Sequence, residues 1–124
     1  MSQHVIAGHG LLFNQFCLDP VSGDLKGPRG PVPLTPKALA VLRYLAERPR
    51  QLVTKRELLD ALWPDVFVAD GALKVCIREI RRALRDDARV PRFIETAYRR
   101  GYRFIAPVTV AAPVIESTLG GGPP

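Results

Sequence analysis

Leu73, Ile77, Ile80 and Leu84 are spaced four, three and four residues apart, the interval at which side chains return to one face of an α-helix. The spacing predicts a helix from about Gly71 to Arg85. Two shorter helices are predicted before it. Leu39, Leu42, Tyr44 and Leu45 recur at helical spacing after Thr35, a capping residue type. Pro36 takes the first helical position, where its missing N–H is not needed, and Pro49 stops the helix. Thr54-Lys55-Arg56-Glu57 reads as a capping box, the Thr54 hydroxyl taking the amide three residues on while Glu57 reaches back. Leu58, Leu59 and Leu62 supply the buried stripe of this second helix. It ends at Trp63-Pro64, leaving Pro64 to Asp70 as a loop.

The flanking segments read as strands. Leu11, Phe13 and Phe16 to Leu18 are apolar or β-favouring, and turn residues crowd Asp19 to Asp24 and Gly27 to Pro31. A small antiparallel sheet of three or four strands is expected there, and Leu52-Val53 is a short extended link. After Pro91, Phe93 to Thr96 and Gly101 to Ile105 form two β-like runs joined by Ala97-Tyr98-Arg99-Arg100, a hairpin with a basic tip. Tyr102 and Phe104 alternate onto one face, expected to pack against the third helix, and Trp63 is expected in the core. The class is α+β. Residues 1–10 are expected as a flexible arm and 11–107 as the domain. Residues 108–124, Ala/Val/Pro/Gly-rich, have linker or tail composition.

Charge changes the picture once it is located. The net +6 of the 124 residues is carried by one stretch. Lys74, Arg78, Arg81, Arg82, Arg85, Arg89, Arg92, Arg99, Arg100 and Arg103 face only Glu79, Asp86, Asp87 and Glu95 there, while elsewhere the signs balance. A localised basic patch suits a polyanion, because each neutralised phosphate releases condensed counterions. Other function classes find less support. No histidine falls in a catalytic cluster, no glycine-rich phosphate loop precedes a helix, and Cys17, Cys76, His4 and His9 lack metal-ligand spacing. Neither an enzyme, a cofactor nor a metal site is expected. The chain shows no apolar run of membrane-spanning length and no secretory signal, so a cytoplasmic location with reduced thiols is expected.

A helical wheel at about 100° per residue gives the third helix its chemistry. Leu73, Ile77, Ile80 and Leu84 face the core, and Lys74, Arg78, Arg81 and Arg85 form a basic ridge on one flank. Ala72, Val75, Cys76, Glu79 and Arg82 are placed toward the side away from the core. Helix, loop, more basic helix and basic-tipped hairpin is the layout of a winged helix-turn-helix, and the major groove of B-DNA admits one α-helix. On this reading Ala72 and Val75 touch thymine methyls, Glu79 accepts from a cytosine amino group, and the flanking arginines, Arg78 foremost for a base contact, grip phosphate. Arg99, Arg100 and Arg103 of the wing reach adjacent phosphates or a narrow minor groove, with Tyr98 beside them.

Leu34-Thr35-Pro36-Lys37-Ala38-Leu39, Arg56-Glu57-Leu58-Leu59-Asp60-Ala61-Leu62-Trp63, Val75-Cys76-Ile77-Arg78-Glu79-Ile80-Arg81-Arg82-Ala83-Leu84 and Arg100-Gly101-Tyr102-Arg103-Phe104 resemble, in order and spacing, the effector domain of OmpR/PhoB-type regulators. The branch with ToxR- and CadC-type activators and the N-terminal domains of large multidomain ATPase-type regulators is the most similar. The resemblance covers roughly Phe13 to Val108. It implies a four-stranded N-terminal sheet, three helices, a C-terminal hairpin, a recognition helix from Gly71 to Leu84, and double-stranded DNA as partner. It also implies tandem dimers on DNA, a further sensory or effector portion, and a loop, Asp65, Val66, Phe67 and Val68 at its centre, that touches RNA polymerase in some relatives. The chain departs from the pattern at Glu79, where many relatives carry arginine, and at Gly71 and Ala72, which replace longer polar residues. The residues of this chain carry no receiver domain with a phosphorylatable aspartate ahead of the domain, so phosphorylation control is not expected from the resemblance. A winged helix also serves as a protein-interaction or sensory module; the basic excess on the third helix and wing is what favours DNA.

Overall fold

The turn-rich start folds as successive hairpins. In the computed structural model, which describes residues 10–19, 22–64 and 70–111, strands β1 (Gly10–Phe13), β2 (Phe16–Leu18), β3 (Leu25–Gly27) and β4 (Gly30–Val32) form an antiparallel ladder. Leu11, Leu18, Leu25 and Val32 stand opposite one another in turn, so period-two alternation sends them to one face, onto the core. A fifth strand corrects the expected boundaries. β8 (Thr109–Ala111) pairs with β1, Leu11 opposite Val110 and Gly10 opposite Ala111. Gly10 therefore belongs to the sheet rather than to the arm, and the linker composition begins only after three residues that satisfy the β1 edge. The remainder of the expected arm and tail lies outside the described residues.

Helix α1 (Pro36–Ala46) starts as its sequence predicts, the Thr35 hydroxyl accepting from the Ala38 amide at 3.3 Å with Pro36 at the first position. In α2 (Lys55–Leu62) half of the capping box forms. The Thr54 hydroxyl accepts from the Glu57 amide at 3.0 Å. The Glu57 carboxylate turns away to the Tyr44 hydroxyl, 2.6 Å, with the Arg48 guanidinium stacked on the Tyr44 ring. The strong neutral donor of Tyr44 wins over the exposed cap, and that hydrogen bond, with partial burial, raises the Tyr44 pKa.

Leu52-Val53 is more than a link. β5 (Leu52–Thr54) joins β6 (Ile94–Ala97) and β7 (Gly101–Phe104) in a second antiparallel sheet, order β5-β7-β6. Gly101 allows that join: a Cβ there would run into the Val53 carbonyl oxygen and sit 2.7 Å from the Thr54 Cα. The core lies between the two sheets and the helices, with Leu42, Leu45, Leu58, Ile80 and Phe104 fully enclosed. Phe13 bridges them, edge-on to Phe104 at 5.1 Å and to Phe93 at 6.1 Å. Trp63 is half-buried against the core, Lys37 lying 5.0 Å over its ring. The class is α+β, a winged helix-turn-helix, as expected.

Two substitutions check this packing by urea denaturation. Ile80→Ala should cost about 2–5 kcal/mol, the range for emptying a closed aliphatic site. Gly101→Ala should cost about 1–3 kcal/mol through the β5 collision, while Gly71→Ala, with open space around it, should be neutral or mildly stabilising.

Candidate nucleic-acid interface

Among the described helices α3 (Asp70–Leu84) is the most strongly amphipathic, and it fixes the candidate interface. Its buried stripe is Leu73, Cys76, Ile77, Ile80 and Leu84. Cys76 is thus a correction to the outward face expected from the wheel. Standing three residues after Leu73 and four before Ile80, it lies at the margin of the apolar stripe, and close packing draws it in to 6% exposure. Burial pushes its thiol pKa up and the Glu79 carboxylate adds to the shift, so the group is a poor nucleophile held for packing.

The outer surface sorts into free and engaged side chains. Lys74, Val75, Arg78 and Arg82 are exposed, Val75 at 58%, and Ala72 is partly covered. Glu79, expected to read a base, turns instead to the start of α1. Its Oε2 accepts from the Thr35 backbone N–H at 2.6 Å and its Oε1 from the Thr35 hydroxyl at 2.9 Å. Thr35 caps α1 through that same hydroxyl, so one residue joins the two helices. Arg81 is likewise engaged: its Nη2 donates to the Ile94 carbonyl at 2.9 Å and to the Thr96 hydroxyl at 2.8 Å, tying α3 to β6. Its buried Nε has no protein partner among the described residues.

The wing is fastened by a further residue whose role the sequence did not reveal. Asp86 accepts from the Arg92 amide at 2.7 Å through Oδ1, and from the Phe93 and Ile94 amides at 3.2 and 2.9 Å through Oδ2. At the wing tip Tyr98 is 78% exposed, with Arg99 over its ring at 5.2 Å and Arg100 exposed beside them. Arg103 faces back along the strand and pairs with Glu95 at 3.4 Å. Tyr102 is buried with Phe104, as expected. Asp65, Val66, Phe67 and Val68 lie outside the described residues.

Between α3 and the wing runs a cleft of about 480 Å3 bordered by Lys74, Arg78, Arg81, Arg82 and Tyr102, with Asp86 its one acidic lining residue. Among the described residues Lys74, Arg78, Arg82, Arg99 and Arg100 form no ion pair. Unneutralised positive charge beside an exposed apolar helix face is an arrangement that can take a phosphate backbone along the cleft and base edges against the helix. Among the described residues no group of carboxylates, histidines and cysteines gathers at metal-binding distances, and no helix is long and apolar enough to cross a membrane.

Comparison with known proteins gives concordant matches. Residues 29–104 match the family described as "Transcriptional regulatory protein, C terminal". The transcriptional regulator HilA of Salmonella typhimurium is 38% identical over 108 residues, covering 87% of this chain and 19% of HilA. The cholera toxin homolog transcriptional activator of Vibrio parahaemolyticus is 32% identical over 109 residues, covering 84% of this chain and 37% of the activator. The chain thus spans about a fifth to a third of the length of these curated relatives. Among solved structures, the RstA DNA-binding domain of Klebsiella pneumoniae, crystallised in complex with the RstA box, superposes with a TM-score of 0.70 at 27% identity, covering 77% of this chain and 96% of that one.

Two measurements test the engaged side chains. Iodoacetamide should label Cys17 in the native chain and spare Cys76, the two becoming equal in urea; fast native labelling of Cys76 would contradict its place in the core. Glu79→Ala should cost about 1–2 kcal/mol. In a double-mutant cycle with Thr35→Ala it should show a coupling of about 0.5 kcal/mol or more, whereas additivity would mean the helix-to-helix bond contributes nothing.

Proposed function

We propose that this chain, which belongs to the family described as Transcriptional regulatory protein, C terminal, binds double-stranded DNA sequence-specifically as the DNA-reading domain of a bacterial transcription regulator. The observation that carries the reading is the exposed basic flank of α3, Lys74, Arg78 and Arg82, lining one cleft and free of ion pairs, in a fold whose hairpin tip carries exposed Arg99 and Arg100. α3 enters the major groove with Val75 and Ala72 toward base edges and Arg78 positioned for a base or its neighbouring phosphate. Lys74 and Arg82 grip the backbone, and Arg99, Arg100 and Tyr98 reach the adjacent phosphates or minor groove. Arg81, Glu79 and Cys76 act from behind, setting where α3 stands.

The similarity to an RstA domain crystallised with its DNA box supports this arrangement. As part of the same proposal, the domain works in the cytoplasm within a longer regulator. Tandem copies bind along the DNA, and Asp65 to Val68 address RNA polymerase. The family is one of DNA-binding regulators, and catalysis forms no part of the reading.

Binding to a pool of random duplexes at several salt concentrations, with selection and sequencing, tests it. Affinity should fall steeply with salt and a short motif should be enriched. Arg78→Ala should cost about 1–3 kcal/mol and relax specificity at one position, while Arg100→Ala should weaken binding to all sequences alike. Absence of binding at low salt would replace this reading with a protein-interaction module.

A further inference from the structure

Not all of the basic excess between Lys74 and Arg103 lies at the cleft described above or at the wing tip. Arg85 and Arg92 meet Arg29, brought in by the β3–β4 turn, around a separate groove of about 790 Å3 at the C-terminal end of α3. Its floor is apolar, the Phe16 and Phe93 rings meeting edge-to-face at 5.7 Å. Among the described residues no aspartate or glutamate lines it, and none of the three arginines forms an ion pair.

The arginines are arranged rather than merely present. Arg92 lies over the Phe93 ring at 5.7 Å and donates to the Arg85 carbonyl at 3.3 Å. Arg85 occupies the left-handed position just past the helix, φ 59°, where glycine is the usual residue and a larger one is strained. Ten residues separate it from Val75, about 15 Å of helix rise. The groove is of a size that takes a short peptide segment. Its three like charges around aromatic carbon call for a ligand that supplies both carboxylate and apolar surface.

We propose that this groove is a second binding site, for an acidic peptide segment of a partner protein. Its carboxylates take the guanidinium groups of Arg29, Arg85 and Arg92, and an aromatic or aliphatic side chain between them lies on the partly exposed Phe16 ring, which the enclosed Phe93 backs. Such a segment engages the domain without occupying the α3–wing cleft. The site does not rest on the DNA reading, and its test reports on the two separately.

The test titrates the isotope-labelled chain with the hexapeptide Asp-Glu-Phe-Asp-Leu-Glu, and with its Asn/Gln counterpart, by NMR. Saturable amide shifts are expected at Asn14, Gly27, Gly30, Arg85 and Phe93 with the acidic peptide alone. An Arg29→Ala, Arg92→Ala double variant, its remaining spectrum unchanged, should lose at least tenfold in peptide affinity and keep its DNA affinity within twofold. The proposal is overturned by an equal response to the neutral peptide, by no saturable shift at millimolar peptide, or by shifts centred on Lys74, Arg78 and Arg99. It is also overturned by groove shifts that grow with protein concentration alone, which assign the groove to a second copy. A tenfold loss of DNA affinity in the double variant assigns the groove to the DNA footprint and overturns it too.

Discussion

α3 has to bury Leu73, Cys76, Ile77, Ile80 and Leu84 against the rest of the core, and a helix that commits one stripe to burial has no choice about the direction of the others. Every basic residue of the helix is thereby swung to a flank or to the outer face. Three polar attachments then fix the helix in place. Glu79 holds it to the start of α1, Arg81 holds it to β6, and Asp86 gathers the amides with which the wing begins. Each uses a charged group on neutral partners, the stronger kind of hydrogen bond, near the protein surface where desolvation is incomplete. Together they set the angle between α3 and the wing, on which any double contact with a duplex depends.

Much of the fold was legible because its signals are local. The four-three-four spacing of α3, Thr35 followed by Pro36, and Thr54 three residues before Glu57 each state a helix within a few positions of sequence. What stayed illegible is what distant partners decide. Leu52-Val53 carries no strand signal of its own and becomes β5 because β7 lies beside it; Thr109 to Ala111 become β8 because β1 has an open edge. Glu57 and Glu79 show the same limit in side chains. Their spacing suggests a cap and a base contact, and residues 13 and 44 positions away claim them instead. Cys76 was misplaced for a different reason: the margin of an amphipathic stripe is where a wheel cannot decide, and a small apolar side chain settles inward.

The arginines illustrate how little a residue type says about its use. Arg81 braces the fold, Arg103 answers Glu95, Arg48 stacks on Tyr44, and Arg78 and Arg82 stand ready in solvent. The guanidinium permits all of these because it stays charged, stacks flat and donates in several directions. Counting positive charge located the region correctly. Only the packing separates the charges that build the surface from those left for a partner.

β8 lies antiparallel on β1 with Gly10 opposite Ala111, so the points at which the chain enters and leaves the described domain are neighbours across a single ladder. A pull applied between those two points loads the backbone pairs one after another rather than all at once. The domain therefore resists tension least along the line joining its own ends. Peeling of β8 would uncover the edge of β1, whose inner face carries Leu11 and Phe13 into the aromatic core. Mechanical strain on the chain would thus be felt first at the sheet farthest in sequence from α3.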